Sequence, residues 1–466
     1  MKLYNSLSRR SEELDYRNNI VRIYLCGVTV YDSAHIGHAR TIIVFDVLRR
    51  YLCYKGLKVK FIQNFTDVDD KIIDRARTEG LKAEQIATRY IQDYFKDFHR
   101  LNILEADYYP RATENIKEII NLIAELIKKD FAYISLNGVY FRVKSFSGYG
   151  KLSKKTIEEL EAGARIQVDP SKHDPLDFAL WKFYSDEPIW DSPWGKGRPG
   201  WHIECSAMAL KYLGSCFEIH GGGSDLIFPH HENEIAQSES FTGKQFAKLW
   251  LHSGMVTIDS QKMSKSLGNI VSIGDVLEKW GMNTFRIYCI SIQYSKPLDF
   301  TDIILRESMQ KWRQIETCAY ELRFPTKEKG DVKAIQNLCD ETKQMFESAM
   351  DDDMNTSLAL TAFMKFVSEL NRFAADNKLT EDMSTVSIRL FNRLMNVLGL
   401  KVLEAENSEK SQIEDLINKR NKLRAERKFD DSDAIRRRLT DLYSVELMDH
   451  KDRTVWKKVE KNSIIM

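Results

Sequence analysis

The most constraining feature of this sequence is a strand–turn–helix pattern over residues 24–48. Apolar and β-branched residues open it, as in a buried strand, and an amphipathic run follows a polar turn. Cys26 falls near the strand end, and Ser33 is predicted to cap the helix, since a serine oxygen can accept an N–H group of the first turn. His35 and His38 then lie at the helix start, where the helix dipole and free N–H groups attract anions. Taken alone, such residues are more often a buried core thiol and surface histidines, so other parts of the chain must decide.

The alternation of strands and helices continues downstream and predicts the fold class. Residues 59–65 have the pattern of a second strand, and residues 71–101 are rich in helix formers. Strand, helix and strand with polar groups at the strand ends are typical of a doubly wound parallel sheet. Asn137-Gly138 signals a hairpin inside the loop-rich stretch 131–191, which is predicted to interrupt the sheet as an insertion. We therefore expect an α/β protein: a doubly wound parallel-sheet (Rossmann-type) domain split by an insertion, then an α-helical bundle and a small C-terminal mixed α/β domain.

Composition limits the partners and the compartment. A net charge of +1 over 466 residues gives no general attraction to nucleic acid, so RNA would have to be held by local basic patches. Seven scattered cysteines form an odd set, which argues against a disulfide framework and predicts a reducing, cytoplasmic location. Residues 1–11 are polar, unlike a signal peptide, and no run of 18 apolar residues exists, so no membrane association is expected.

Soft metal ligands recur in three separated segments. Cys26 follows the first strand, Cys205 lies in a second segment, and His230 and Glu234 are four residues apart, so a helix would place both on one face. These four residues make a plausible tetrahedral zinc set, with His231 and Glu232 as rival ligands. A metalloprotease motif is absent, because Ile235 rather than histidine stands four positions after His231.

Two further segments suit phosphate or nucleotide binding. The run Lys262-Met263-Ser264-Lys265-Ser266 places two lysines among small polar residues, as in a loop that neutralises charge on a leaving phosphate. A solvated basic turn would have the same sequence pattern. Gly221-Gly222-Gly223-Ser224-Asp225 is predicted to form a turn whose backbone approaches a nucleotide, although a plain flexible turn is the alternative. Gly37, between the two histidines, would likewise leave room for a ligand near the backbone.

The spacing of these motifs resembles a known family. Cys26-Gly27 followed by His35-Ile36-Gly37-His38, with the run 262–266 downstream, is similar to the paired signatures of class I aminoacyl-tRNA synthetases. The Cys205 segment and the run 221–234 resemble the cysteinyl-tRNA synthetases in particular, over essentially the whole chain.

The resemblance implies a role for each matching position. One zinc ion per chain is expected on Cys26, Cys205, His230 and Glu234. The phosphates of ATP, with Mg²⁺, are expected at His35, His38, Lys262 and Lys265. Other nucleotide contacts are expected at Gly37, Gly221, Gly222, Asp225 and Lys265. The amino-acid pocket is expected to include Gly27, Thr29, Thr66, Trp201 and His220.

The same resemblance implies the reaction and the partners. L-cysteine and ATP would form a cysteinyl-adenylate, and the cysteinyl group would pass to tRNA(Cys). Zinc would bind the substrate thiolate and so reject serine, because a hydroxyl is far more basic and a poor zinc ligand. Glu234 is expected to be the most weakly held zinc ligand, and the enzyme is expected to be a monomer.

The C-terminal region is predicted to meet the RNA. Residues 419–438 carry nine basic against four acidic side chains, and Trp456 follows in a second basic stretch. Basic groups bind phosphate and an aromatic ring can stack on an unpaired base. The alternative is a solvated charged helix with Trp456 packed in a small core.

The motifs and the resemblance together predict six segments. They are residues 1–130 and 192–250 for the halves of the catalytic domain, 131–191 for the insertion, 251–305 for the phosphate-loop and stem-contact region, 306–403 for the helical bundle and 404–466 for an anticodon-binding domain.

Two rival functions remain at this level. A ligase that passes activated cysteine to an amino sugar would share the active site but needs no basic C-terminal unit. A zinc-stabilised RNA-binding protein would need neither phosphate signature.

Overall fold

The computed structural model describes residues 1–159, 171–263, 267–326, 332–450 and 453–459. It forms two compact units. Unit 1 comprises Met1–Gly274, Gln293–Phe300 and Asp351–Met354, and unit 2 comprises Asp275–Ile292, Thr301–Met350 and Asn355–Met466. Within the described residues, no helix combines the length and the apolar character that crossing a bilayer requires.

Unit 1 contains three multi-stranded sheets and a terminal hairpin. Its strands are β1 (Lys2–Asn5), β2 (Arg10–Glu13), β3 (Ile20–Leu25), β4 (Lys58–Gln63), β5 (Ala132–Ser135), β6 (Gly138–Phe141), β7 (Phe178–Phe183), β8 (Gly197–Pro199), β9 (Phe217–Gly223), β10 (Ala247–Ser253), β11 (Val256–Ile258), β12 (Gln261–Lys262) and β13 (Leu298–Phe300). Its helices are α1 (Ile36–Tyr54), α2 (Asp70–Glu79), α3 (Ala83–Arg100), α4 (Ile116–Lys128), α5 (Trp201–Leu213) and α6 (Glu232–Thr242), and α7 (Ile273–Trp280) begins at its end.

The central sheet has the order β10-β9-β3-β4 with every pair parallel. The chain runs from β3 to β4 in one direction and then returns to β9 on the other side of β3, so the order reverses between β3 and β9. In open parallel sheets such a reversal leaves a crevice at the carboxyl ends of the strands. The predicted doubly wound sheet is therefore confirmed, and Cys26, directly after β3, lies at its switch point.

Helix α1 begins later than the sequence predicts. Its N-cap is His35, whose Nδ1 accepts the Gly37 N–H at 3.2 Å, so the predicted cap at Ser33 is wrong. The His35 N–H in turn donates to Nδ1 of His38 at 3.3 Å. The two imidazoles thus replace the serine and glutamate of a usual capping box, which the local sequence could not indicate.

The glycine run after β9 is also different from its prediction. Gly221, Gly222 and Gly223 continue strand β9 instead of forming a turn. A Cβ on Gly221 would lie 2.0 Å from the ring of Phe45 on α1, so glycine allows this helix to pack closely on the sheet.

The insertion forms its own antiparallel sheet, β5-β6-β7-β8. Its first hairpin pairs Ser135 with Gly138, as the Asn137-Gly138 signal predicts. Val139, Phe141 and Trp181 are buried against α4 in a shared core. The sheet continues to β8, beyond the boundary predicted at residue 191, and Pro199 and Gly200 lead directly into α5.

The described residues of unit 2 form helices and one hairpin. Its further elements are α8 (Met282–Ile290), α9 (Asp302–Glu321), α10 (Val332–Asp351), α11 (Thr356–Ala375), α12 (Glu381–Leu398), α13 (Asn407–Ala425), α14 (Phe429–Tyr443), β14 (Val445–Asp449) and β15 (Thr454–Lys458). The helical bundle and the mixed C-terminal part confirm the predicted fold class. The C-terminal region predicted from residue 404 opens with a short connection, and its first helix, α13, begins at Asn407.

Two residues expected on the RNA surface are buried in unit 2. Trp456 is only 7% exposed and packs in a core with Ile413 and Leu439, so the predicted base stacking by this ring is wrong and its alternative place in a small core is confirmed. Arg420 is fully buried and binds both carboxylate oxygens of Asp449 at 2.6 Å. Both side chains therefore lie inside the C-terminal part of unit 2 and not on its surface.

Candidate active site

Four predicted metal ligands meet at the switch point of the central sheet. One ligand atom from each of Cys26, Cys205, His230 and Glu234 lies within 4.8 Å of the others. The Cys26 Sγ atom lies 3.8 Å from Cys205 Sγ and 3.3 Å from Glu234 Oε1, and His230 Nε2 lies 3.1 Å from the same oxygen. All four side chains are buried.

These spacings fit a tetrahedral ion of the size of zinc. Bonds of roughly 2.0–2.3 Å to nitrogen, oxygen and sulfur place neighbouring ligand atoms about 3.3–3.8 Å apart. The three separations given above span 3.1–3.8 Å. Two sulfurs with one imidazole are also a donor set that zinc prefers. The residues present therefore fit the predicted metal.

The side chains of the cluster shift one another's pKa values in opposite directions. The hydrogen bond from the Cys26 thiol lowers the pKa of Cys205 to about 6, although burial opposes this shift. Burial and the neighbouring sulfur raise the pKa of Cys26. Burial also lowers the pKa of His230, but hydrogen bonds to Cys205 and Glu234 outweigh it and raise that pKa to about 10. Cys205 is thus the residue best prepared to act as a thiolate ligand.

Two histidines orient His230 and Glu234 by contacting the atoms that face away from the cluster. His202 Nδ1 lies 3.0 Å from His230 Nδ1, which directs the Nε2 atom of His230 towards the cluster. His220 Nε2 lies 2.8 Å from Glu234 Oε2, which leaves Oε1 facing Cys26 and His230. Partners of this kind fix the orientation of metal ligands in many sites. The structure therefore gives His220 a contact with a ligand, in addition to its predicted place in the amino-acid pocket.

A second set shares two of these ligands. Cys26, His220, His231 and Glu234 also bring one ligand atom each within 4.8 Å of one another. His231 Nε2 is 3.3 Å from Cys26 Sγ, so His231 is a real rival as a ligand. Glu232 is not, because its carboxylate accepts the backbone N–H groups of Leu152 and Ser153.

The predicted amino-acid pocket gathers at the ends of β3 and β4. Thr29 and Thr66 form a parallel bridge, with Val30 N–H donating to Thr66 O at 3.2 Å. The Gly27 N–H donates to Asn64 Oδ1 at 2.9 Å, and a Cβ on Gly27 would overlap the Asn64 carbonyl. The structure therefore brings together Gly27, Thr29 and Thr66, which the sequence separates.

Trp201 completes this region from the insertion side. Its ring lies 4.3 Å from that of His230 and is 39% exposed, so it can cover the metal cluster and still meet a ligand. Glu204, one turn along α5, was not identified from the sequence. It is 1% exposed and hydrogen-bonds Thr66, and burial raises the pKa of its carboxyl group.

Sequence reasoning also missed two histidines around the cluster: His202, and His252, whose Nε2 lies 2.8 Å from Nδ1 of the rival ligand His231. One signal could have found them. Five of the ten histidines of the chain fall between residues 202 and 252, a density that a surface role does not explain.

The two motif histidines form a stacked pair at the start of α1. Their ring centroids are 3.7 Å apart. Because each Nδ1 atom accepts a backbone N–H group, the neutral tautomer of His35 and of His38 carries its proton on Nε2. Burial, and then the charge of His35, lower the pKa of His38 to about 3, so its ring stays neutral at physiological pH. The pair can therefore offer two Nε2–H donors next to the helix N-terminus.

The segment that follows the lysine run is hydrogen-bonded to the start of α1. Lys262 closes the short strand β12, while Lys265 lies outside the described residues. Downstream, the Ile36 N–H donates to Val271 O at 3.2 Å, and His35 forms a bridge with Ser272. The space beside Gly37 is filled by the His35 ring and the Met263 side chain, since a Cβ on Gly37 would lie 3.3 Å from the Met263 methyl group.

The other predicted nucleotide contacts lie at the end of β9. A Cβ on Gly222 would meet the His231 ring at 2.8 Å, and one on Gly223 would meet Asp225 Oδ1 at 2.4 Å. Packing against protein thus already requires glycine at these positions. Nucleotide binding by Gly221, Gly222 and Asp225 stays a prediction.

Comparison with known proteins agrees with this arrangement. Residues 13–310 match the tRNA synthetases class I (C) catalytic domain, and residues 345–403 match the DALR domain. The fold is similar to that of Mycobacterium tuberculosis methionyl-tRNA synthetase in complex with methionyl-adenylate, with a TM-score of 0.64 at 15% identity over 81% of this chain and 91% of that one.

Relatives of nearly equal length are more informative. A "Cysteine--tRNA ligase" of Thermodesulfovibrio yellowstonii is 46% identical over 98% of this chain and 99% of its own. A protein of the same name from Bacillus licheniformis is 44% identical over 99% of both chains.

Proposed function

The chain belongs to the cysteine--tRNA ligase family of class I tRNA synthetases and charges tRNA with cysteine, and from this premise we propose the chemistry of its site. L-cysteine and ATP react to a cysteinyl-adenylate, and the cysteinyl group then passes to tRNA(Cys). The observation that supports this most directly is the convergence of Cys26, Cys205, His230 and Glu234 beside the stacked His35 and His38 helix start, at one edge of one sheet.

The first part of the proposal is a zinc ion held by Cys26, Cys205, His230 and Glu234. When bound, zinc supplies a soft Lewis acid that favours an ionised sulfur over a hydroxyl, the contrast on which rejection of serine rests. The protein's part is to hold three strong ligands rigidly and one adjustably. Glu234 is the adjustable one, because a carboxylate oxygen is a harder donor than thiolate or imidazole and binds zinc less strongly.

The pocket residues bind and orient the amino acid. Trp201 covers the cluster, and Thr29 and Thr66 line the ends of two adjacent strands. Such a pocket alone discriminates poorly between side chains of nearly equal size, by about 10–200-fold for a methylene-sized difference. Selection therefore has to come from the chemistry of the sulfur, as the buried cluster supports.

The second part concerns the phosphates of ATP, which enters with Mg²⁺. We place them at the N-terminus of α1, where the Nε2–H groups of His35 and His38 donate to oxygens that gain charge in the transition state. Lys262 and Lys265 neutralise the departing pyrophosphate. Gly37 is proposed to face the nucleotide from the start of α1, and Gly221, Gly222 and Asp225 from the end of β9.

The third part is tRNA recognition by the C-terminal region, residues 404–466. Eight of the predicted basic residues are exposed there: Lys419, Lys422, Arg424, Arg427, Lys428, Arg436, Arg437 and Arg438. Basic side chains along two adjacent helices, α13 and α14, suit an RNA backbone. The monomeric state, the cytoplasmic location and the six-part domain division stay predictions.

One pair of measurements tests the chemistry. Purified protein is assayed for ATP–pyrophosphate exchange with cysteine and with serine, and its zinc content is determined in parallel. We expect about one zinc per chain and exchange that depends on cysteine and not on serine. Exchange at the normal rate in protein without zinc, or equal rates with serine, would refute the proposed selection.

A further inference from the structure

Arg40 is a buried arginine two residues beyond the motif histidines. It lies in α1 and has no exposed surface. Its Nη1 atom donates to the carbonyl oxygens of Gly254 and Met255, each at 3.0 Å. Its Nη2 atom donates to the carbonyl of Tyr294 at 3.3 Å and to that of Lys296. One guanidinium group therefore joins three separate segments of unit 1.

The four acceptors lie at the base of the small sheet that carries Lys262. Gly254 and Met255 form the joint between β10 and β11, and β11 pairs with β12. Tyr294 and Lys296 precede β13, which pairs with β11 on its other side. A Cβ on Gly254 would lie 2.2 Å from the Lys296 carbonyl, so the two segments approach as closely as backbone allows.

Both ends of the Lys262 segment are thereby attached to α1. On the outgoing side, Arg40 is joined by Thr41, whose Oγ1 lies 2.6 Å from Ser253 Oγ. On the returning side, backbone hydrogen bonds link Ile36 to Val271 and Ala34 to Ile273. The helix that presents the two imidazoles is thus also the support of the lysine segment.

We propose that Arg40 is a positioning residue for the activation step: its buried guanidinium sets the distance and orientation between the imidazoles of α1 and Lys262. The proposal rests on the proposed function, in which both groups act on the same phosphates. An error of about 1 Å between such groups can cost about 100-fold in rate. Only arginine has a planar fork with five donors that reaches four carbonyls, whereas lysine offers a single point of donation.

The test compares Arg40→Lys with the unsubstituted protein. We expect the kcat of cysteine-dependent ATP–pyrophosphate exchange to fall by about 10–100-fold. The KM for cysteine should stay within about twofold and the zinc content should not change, because the metal cluster lies at the ends of other strands.

Arg286→Lys is the matched control. Arg286 is also a fully buried arginine that donates to a backbone carbonyl, that of Leu398, but it lies in unit 2. We expect this variant to lower the melting temperature without changing kcat. If Arg40→Lys behaves like Arg286→Lys, with a lower melting temperature and normal kcat, Arg40 is merely structural and the proposal is overturned.

A double variant makes the test specific. If Arg40 acts through Lys262, the variant with both Arg40→Lys and Lys262→Ala should be within about threefold of Lys262→Ala alone, because the group to be positioned is already gone. Multiplicative effects of the two substitutions would overturn the proposal. Absence of cysteine-dependent exchange in the unsubstituted protein would refute the proposed function instead, so the two failures are distinguishable.

Discussion

Cys205 is the residue at which the electrostatics of the site are most visible. Its thiol loses its proton more readily than that of Cys26, although both are buried within 3.8 Å of each other. The difference follows from the direction of the hydrogen bonds, because Cys26 donates to Cys205, and Cys205 accepts from both Cys26 and His230. Two identical residues therefore differ in opposite directions: the pKa of the Cys205 thiol is lowered and that of the Cys26 thiol is raised.

We predict that Cys205→Ser lowers zinc content and cysteine activation together, because a serine hydroxyl is a poor zinc ligand. Metal analysis and ATP–pyrophosphate exchange are measured on the same sample. Cys53→Ser, at an exposed free cysteine, is the control and should change neither. Normal activation by a Cys205→Ser protein that has lost its zinc would contradict the metal role.

The convergence of Cys26, Cys205, His230 and Glu234 was predictable because few residue types bind zinc and their positions matched a family pattern. Their supporting partners were not, because the contacts of His202, His231 and Glu204 depend on distances between segments that only the fold brings together. Trp456 shows the opposite error. Its basic neighbours suggested RNA, whereas its burial is decided by apolar partners in other elements.

At the level of elements, the packing of α1 on β9 depends on one missing side chain. We predict that Gly221→Ala destabilises the protein by about 1–3 kcal/mol, since its Cβ would lie 2.0 Å from the Phe45 ring in a tightly packed core. Thermal unfolding measures the loss. Gly274→Ala is the matched control: it lies in α7, its Cβ would have no neighbour nearer than 3.8 Å, and alanine favours helices, so stability should rise slightly.

The same glycines explain why the strand was predicted as a turn. A run of three glycines usually marks a loop, and nothing near Gly221 in the sequence shows that Phe45 will press against it. Strand and helix order, in contrast, follow from hydrophobic periodicity within short windows, which is why the central sheet and the bundle could be predicted.

The pairing of β3 with β9 begins next to a partly buried ion pair. Arg22 Nε donates to Glu218 Oε2 at 2.8 Å, and the Glu218 side chain is 3% exposed. Burial alone would raise the pKa of Glu218, but hydrogen bonds and charge from Arg22 outweigh it and lower the pKa. A carboxylate whose pKa is lowered by folding contributes stability above its unfolded pKa, near 4.3, and that contribution is lost as the pH falls through the folded value.

Glu218→Gln should therefore reduce stability at pH 7 by about 1–3 kcal/mol, because the guanidinium loses its charged partner. The difference from the unsubstituted protein should begin to shrink as the pH falls below the unfolded pKa, near 4.3, and should disappear once the pH passes the lowered pKa of folded Glu218. Urea unfolding at a series of pH values measures both effects. Asp441→Asn, at an exposed carboxylate on α14, should show no such trend. A cost of Glu218→Gln that is constant with pH would rule out the ion pair as its source.

For the whole molecule, activation and RNA binding are assigned to different regions. We predict that Arg437→Glu with Arg438→Glu, on the exposed face of α14, weakens tRNA charging and leaves cysteine-dependent ATP–pyrophosphate exchange unchanged. Each lost phosphate contact should reduce the salt dependence of tRNA binding by about one in a plot of log K against log salt. Binding measured at several salt concentrations tests this. An unchanged slope with unchanged charging would exclude this face as an RNA contact.

The long separation of the metal ligands along the chain has a consequence for biosynthesis. Cys26 precedes Cys205 by 179 positions, and β9 and α6 are needed to complete the cluster. At a ribosomal rate of about 5–20 residues per second, the first sulfur waits roughly 10–40 s for the second. During that interval the cluster has only one of its two sulfurs and the central sheet lacks β9 and β10, so the proposed metal would bind only after translation of the insertion.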